Sequence, residues 1–197
     1  MKRGSLKGGR GLFLALLFLC LWAISGASTA KVLMIIAPEG FRDEELKVPK
    51  ELFESKGLVV EVASSKRGEA RGMLGLRVEP DLSLREVDVA RYEAVIFVGG
   101  IGAQVYFSHP EALRIAKEAY TQGKVVGAIC IAPVILAKAG VLEGKRATVW
   151  PSEGRTLAAL GASYTAKAVE VDGRVVTANG PQAARAFAER ILELLAR

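Results

Sequence analysis

The chain has 197 residues, with 27 Lys and Arg against 21 Asp and Glu, one His, two Cys and a formal net charge of +6. That length holds one domain of ordinary size with a full core. Four of the basic residues (Lys2, Arg3, Lys7, Arg10) lie in the first ten positions, so beyond residue 30 the balance is 23 to 21, and without a concentrated basic surface a nucleic-acid role is excluded.

The N-terminus has its own grammar. A basic start, an apolar run of 13 residues from Leu12 to Ile24 and the small residues Ser28-Thr29-Ala30 match a secretory signal peptide. The run is shorter than the roughly 18–20 apolar residues of a membrane span, and an uncleaved N-terminal anchor is the alternative. Residues 1–30 are therefore read as a targeting segment and residues 31–197 as a single domain. The mature protein is expected in the periplasm, outside the cell or on the outer face of the membrane. Membrane contact is expected only through the N-terminal segment, if it stays uncleaved. Cys20 belongs to that segment, which leaves Cys130 as the lone thiol of the domain and allows it no intrachain disulfide.

KVLMIIA (31–37) is a continuous apolar run of strand length, as in a strand buried on both faces. The polar loop PEGFRDEE follows. Leu46, Val48, Leu52 and Phe53 then predict a helix to Gly57, disturbed by Pro49. LVVEVAS (58–64) reads as the next strand, and residues 65–93 as a small hairpin and a connection. AVIFV (94–98) is a buried strand running into Gly99-Gly100. SHPE (108–111) predicts a helix start with Ser108 as cap and Pro110 in the first turn, and the helix continues to Gly123. KVVGAI (124–129) is another buried strand, APVILAKAG a short helix closed by Gly140, ATVW a strand, and SEGRTLAALG a helix capped by Ser152. AVEVDGRVVTA is a hairpin turning at Asp172-Gly173. PQAARAFAERILELLAR is an amphipathic helix.

Alternating strands and helices with buried strands predict an α/β fold, a mostly parallel sheet with helices on both faces. Sites in such folds form beyond the carboxyl ends of the strands, here in the loops after Ala37, Val98 and Ile129. The third loop holds Cys130, between a strand and a helix start. The unpaired amides and positive end of a helix favour thiolate and would lower its pKa. A small buried hydrophobe is the other reading of a free cysteine. Gly99-Gly100 in the second loop lets backbone amides approach an anion, as in an oxyanion site, or simply makes a tight turn. The first loop offers Glu39, Asp43, Glu44 and Glu45. Such a charge run is mostly a solvated face, but a carboxyl turned inward beside Cys130 would be kept protonated by burial and could shuttle a proton. The single histidine, His109, reads as a surface or cap residue. No metal or cofactor is expected.

The order KVLMIIAPEGFRDEELKVP, VIFVGGIGAQ, AICIAPVILAKAGVLEGKRAT and VTANGP resembles the ThiJ/PfpI superfamily over essentially all of residues 31–197. Its members include a human parkinsonism-linked deglycase and an archaeal intracellular peptidase. The resemblance implies a flavodoxin-like three-layer sandwich, assembled as a homodimer or larger homo-oligomer, with the elbow cysteine as reactive residue. Cys130 matches that nucleophile, and Glu45, four residues before Pro49, matches the glutamate that hydrogen-bonds it. Gly99, Gly100 and Ile131 match the backbone donors. Trp150, Asn179 and Gln104 are candidates to line the pocket, with Trp150 and Asn179 equally readable as packing. Two departures stand out: peptidase-like members have His directly after the cysteine and Glu after the Gly-Gly pair, where this chain has Ile131 and Gln104.

The resemblance therefore points first to a glyoxalase- or deglycase-like enzyme. Cys130 would attack a small reactive carbonyl or a glycated amine, and Glu45 would relay a proton. A redox-sensing or chaperone-like stress protein with an oxidisable Cys130 is the second reading, and a cysteine peptidase lacking two triad members the third.

Overall fold

A computed structural model describes Met1 and residues 30–197. The expected signal segment, residues 1–30, therefore lies almost wholly outside the described residues. After β1 (Lys31–Ile35), β2 (Glu39–Phe41) and α1 (Asp43–Ser55) come β3 (Val59–Ser64), the short β4 (Ala70–Gly72), β5 (Arg77–Val78) and β6 (Leu82–Ser83), and then β7 (Ala94–Phe97). The second half runs through α2 (Pro110–Thr121), β8 (Val125–Ile129), α3 (Pro133–Lys138), β9 (Arg146–Ala147), α4 (Gly154–Ala159), β10 (Ser163–Tyr164), β11 (Val169–Asp172), β12 (Val175–Ala178) and α5 (Ala184–Leu195).

Seven strands make the main sheet in the order β11-β12-β8-β7-β1-β3-β6. All neighbours are parallel except the β11–β12 hairpin. The continuous apolar runs occupy its centre because β7 and β8 are buried at every residue, and β1 at all but Lys31. Helices cover the sheet in two groups: α1 packs on α5, which lies on β8 and β12, while α2 packs on α3, β7 and β8. This is the mostly parallel α/β sheet expected from the alternation, in the flavodoxin-like form that the resemblance implies. From β1 the chain moves out to β3, then returns to β7 on the other side. The loops after β1, β7 and β8 consequently meet at a reversal of strand order, where such sheets form their crevice.

Element boundaries differ from the sequence expectation in instructive ways. α1 begins at Asp43 rather than near Leu46, because Asp43, Glu44 and Glu45 fill its first turn, where the helix dipole favours acids. Pro49 lies inside that helix, which forgoes one backbone hydrogen bond there. α2 is capped by His109, with Pro110 at its first position, so Ser108 is one residue too early. α4 starts at Gly154 after a 3-10 turn, Pro151–Glu153, and Ser152 lies within that turn instead of capping. The hairpin turns at Gly173-Arg174, since Asp172 already pairs with Val175. Of ATVW, only Ala147 is in a strand, in a two-stranded sheet with β10. Among the described residues no helix is long and apolar enough to cross a membrane.

Tyr106 locks the site end of the sheet. Its side chain is fully buried, and its hydroxyl donates to the Ile36 carbonyl at 2.7 Å and accepts from the Ser65 N–H at 2.9 Å. One phenol thus joins the segments leaving β1, β3 and β7. Tyr106→Phe strands both backbone partners and is expected to destabilise the protein by about 1–3 kcal/mol, read from the urea midpoint; an unchanged midpoint contradicts this role.

Candidate active site

Cys130 follows β8 with φ of +62°, a left-handed conformation that side-chain-bearing residues seldom adopt. Two backbone bonds hold it there. Its N–H donates to the Ala178 carbonyl at the end of β12 (2.9 Å), and its carbonyl accepts from the Trp150 N–H (2.8 Å). Strain of this kind persists where the surroundings over-determine it, as they do at functional sites.

Glu45 reaches the same point from the first turn of α1. It is 0 % exposed, its Oε2 accepts from the Gly99 N–H at 3.1 Å, and its carboxyl lies close enough to Cys130 for each group to shift the other's ionisation. Its Oε1 is buried with no hydrogen-bond partner. Gly99 is what allows the three groups to converge: a Cβ there would lie 2.5 Å from both Cys130 Cβ and Glu45 Oε2. At Gly100, with φ of +92°, a Cβ would collide with the backbone of Gly40 and Arg42. The N–H groups of Gly100 and Ile131 lie near the Cys130 sulfur and favour its ionised form.

The electrostatics run against the expected thiolate. Burial pushes Glu45 up to about 8, overriding the opposing pull of Cys130 and the Gly99 N–H, so its carboxyl carries a proton at neutral pH. Burial and the charge of the neighbouring carboxyl push the Cys130 thiol up to about 12, while the Gly100 and Ile131 amides pull the other way. The helix start does not lower it, because α3 has six residues and begins three positions later, at Pro133. The resting pair is thiol and carboxylic acid, and the first proton lost leaves one negative charge shared between them.

A cavity of about 330 Å³ opens over the pair. Two of the lining candidates, Trp150 and Gln104, border it together with Gly100 and Ile131, which were expected as backbone donors. Two candidates fall elsewhere. The Gly99 amide is spent on Glu45 and is no oxyanion donor, and Asn179 is not a lining residue, its N–H tied to the Ala168 carbonyl at 3.0 Å. The sequence reading missed Arg42, Met73, Ile101, Ser152, Glu153 and Gln182, which come from separate loops with no shared motif. The acids of the first loop also separate. Glu44 takes Arg42 in a two-point pair (2.8 and 3.1 Å), while the nearly buried Asp43 accepts from the Leu74 and Leu76 N–H groups (2.9 and 2.7 Å) and so fixes the turn carrying Met73. His109 stacks edge-on against Tyr106 in a different pocket, with Ser65 and Arg85, and does not face the Cys130 cavity. Among the described residues no His/Cys/Asp/Glu group could hold a metal ion.

The DJ-1/PfpI family model matches this chain over residues 30–194, a span that holds both Glu45 and Cys130. The chain belongs to the DJ-1/PfpI family. An uncharacterized protein of Methanocaldococcus jannaschii is 45% identical over 84% of this chain and 82% of its own length. A protein named deglycase from Pyrococcus abyssi is 33% identical over 82% of this chain and 98% of its own. Among solved structures, the ThiJ/PfpI domain protein of Brachyspira murdochii superposes with a TM-score of 0.83 at 33% identity, covering 85% of this chain and 97% of that one.

The buried acid has a measurable signature. An unfolded glutamate ionises near about 4.3, whereas folded Glu45 holds its proton to about 8. Between those values the folded state binds the extra proton, so stability falls as pH rises, by up to about 1.4 kcal/mol per pH unit. Glu45→Gln is expected to remove that slope and to melt progressively higher than wild type from pH 5 to 8. Parallel melting curves for the two proteins across that range would contradict an uncharged Glu45.

Proposed function

We propose that the protein is a cysteine-dependent enzyme of the glyoxalase or deglycase type, acting on small reactive dicarbonyls or their amine adducts. The observation that carries this reading is the contact of Glu45 with Cys130 beneath the Gly100 and Ile131 amides. Family membership and deglycase-named relatives support it at the level of an enzyme class.

The chemistry follows from the proton positions. When Glu45 is ionised it accepts the proton of the Cys130 thiol as sulfur attacks the aldehyde carbon. The S–C bond forms, the carbonyl π pair moves onto oxygen, and the Gly100 and Ile131 N–H groups face the resulting oxyanion. Glu45, now a carboxylic acid, returns the proton to that oxygen to give a hemithioacetal; it then takes the hydrogen from the sulfur-bearing carbon and delivers it to the adjacent carbon, while the hydroxyl proton passes from the first oxygen to the second. The product is a thioester, which water hydrolyses to a 2-hydroxy acid and free thiol. A general base of raised pKa suits this work, since proton transfer is most efficient when its pKa lies near the working pH. Burial is what raises it here.

A peptidase mechanism gains no support from the geometry, because Ile131 and Gln104 stand where a base and its acid partner are needed, and His109 faces another pocket.

Methylglyoxal loss catalysed by the full chain is expected to rise from pH 6 toward pH 9 with a midpoint near the Glu45 value of about 8. Cys130→Ser should abolish it, and Glu45→Gln should lower it by about 10²–10⁴-fold. Turnover by Cys130→Ser at the wild-type rate rules the mechanism out.

A further inference from the structure

The cavity over Cys130 is lopsided in charge. Arg42 is the one cation among its lining residues, and Glu44 holds that guanidinium at 2.8 and 3.1 Å. Glu45 carries a proton at neutral pH. The remaining acid, Glu153, has no ion-pair partner among the described residues. The uncompensated charge of the cavity is therefore the Glu153 carboxylate.

An aromatic face lies beside it. The Trp150 N–H donates to the Cys130 carbonyl at 2.8 Å, and the Trp150 carbonyl accepts from the Glu153 N–H at 2.9 Å across the 3-10 turn. The indole is seated on Gly180, where a Cβ would come within 2.9 Å of Cε3 and Cζ3. Its ring is fixed on that side, the residue as a whole is 42% exposed, and it lines the cavity. A large exposed aromatic anchored to the nucleophile's own backbone, with an unpaired carboxylate one turn away, is a surface that attracts cations. A ring face draws an ammonium or guanidinium through its quadrupole, and a carboxylate adds a charge-assisted hydrogen bond. A carbonyl of two or three carbons held at Cys130 leaves space for that group in a cavity of about 330 Å³.

We propose that Trp150 and Glu153 form a cation-recognition subsite, so that the carbonyl handled at Cys130 is preferred when its carrier also bears a guanidinium or ammonium group. The carbonyl part of this statement rests on the function proposed above. The subsite is tested by binding alone, with probes that carry no aldehyde or ketone for Cys130 to attack.

The probes are n-butylguanidinium and its neutral isostere n-butylurea, titrated calorimetrically into the full chain at pH 7. The guanidinium is expected to bind about fivefold or more tightly than the urea, and to slow iodoacetamide alkylation of the Cys130 peptide, read by mass spectrometry. Glu153→Gln should bring the two probes to nearly equal affinity. Trp150→Leu should weaken the guanidinium, and Trp150→Phe should retain its binding. In the unaltered protein the preference should shrink as salt is raised, because part of it is charge attraction. Equal affinity for the two probes, a preference that survives Glu153→Gln, or one indifferent to salt would overturn the subsite. The chemistry at Cys130 is judged separately by methylglyoxal loss in Cys130→Ser, so either statement can fail while the other stands.

Discussion

A carboxylic acid without access to water lies against a thiol at the top of the sheet, and the surrounding chain is shaped to keep it there. One oxygen of Glu45 is held by the Gly99 amide, and the other has no partner. A buried oxygen left unpaired costs about 1–3 kcal/mol, and the strained backbone at Cys130 adds about 1–3 more. A domain optimised for stability alone would keep neither. What the arrangement provides is a carboxyl whose proton is released near pH 8, beside the one thiol of the described residues. The two glycines follow from the same constraint, since no side chain fits between Glu45 and Cys130 or against the Arg42 backbone.

The topology explains why these groups meet at all. Glu45 comes from the segment after β1, Gly99 and Gly100 from the end of β7, and Cys130 from the end of β8, three adjacent parallel strands. Parallel pairing puts all three carboxyl ends on one edge, and the reversal of strand order between β1 and β7 opens the crevice there. Tyr106 ties those exits together, and Asp43 does the same for the turn that supplies Met73. The rim is therefore assembled from loops that are themselves anchored by buried polar groups.

Much of this was legible in the chain because strands buried on both faces are written as unbroken apolar runs: KVLMI, AVIF and VVGAI needed no further context. Helix ends were harder. Ser108 and Ser152 have the composition of caps, yet the backbone turns one or two residues later, and composition does not record where a chain bends. The contact between Glu45 and Cys130 could not be deduced from spacing, only from the resemblance, and the expected direction of the cysteine shift was reversed because dehydration is invisible in a linear sequence. Glu153 and Arg42 gave no signal, since each reaches the cavity from a different loop and matters only beside residues far away in the chain. Asn179 looked like a pocket residue by position alone; its peptide is tied to Ala168 instead.

The central claim is that Cys130 rests as a thiol, its proton released through Glu45 and not by a preformed thiolate. The most direct test is the pH dependence of iodoacetamide alkylation in the full chain, followed at the Cys130 peptide by mass spectrometry so that Cys20 does not contribute. The account predicts slow reaction at pH 7 and a rate that keeps climbing past the free-thiol value of about 8.5, with the profile displaced in Glu45→Gln. A rate already level at neutral pH, with its midpoint well below that value, would contradict it.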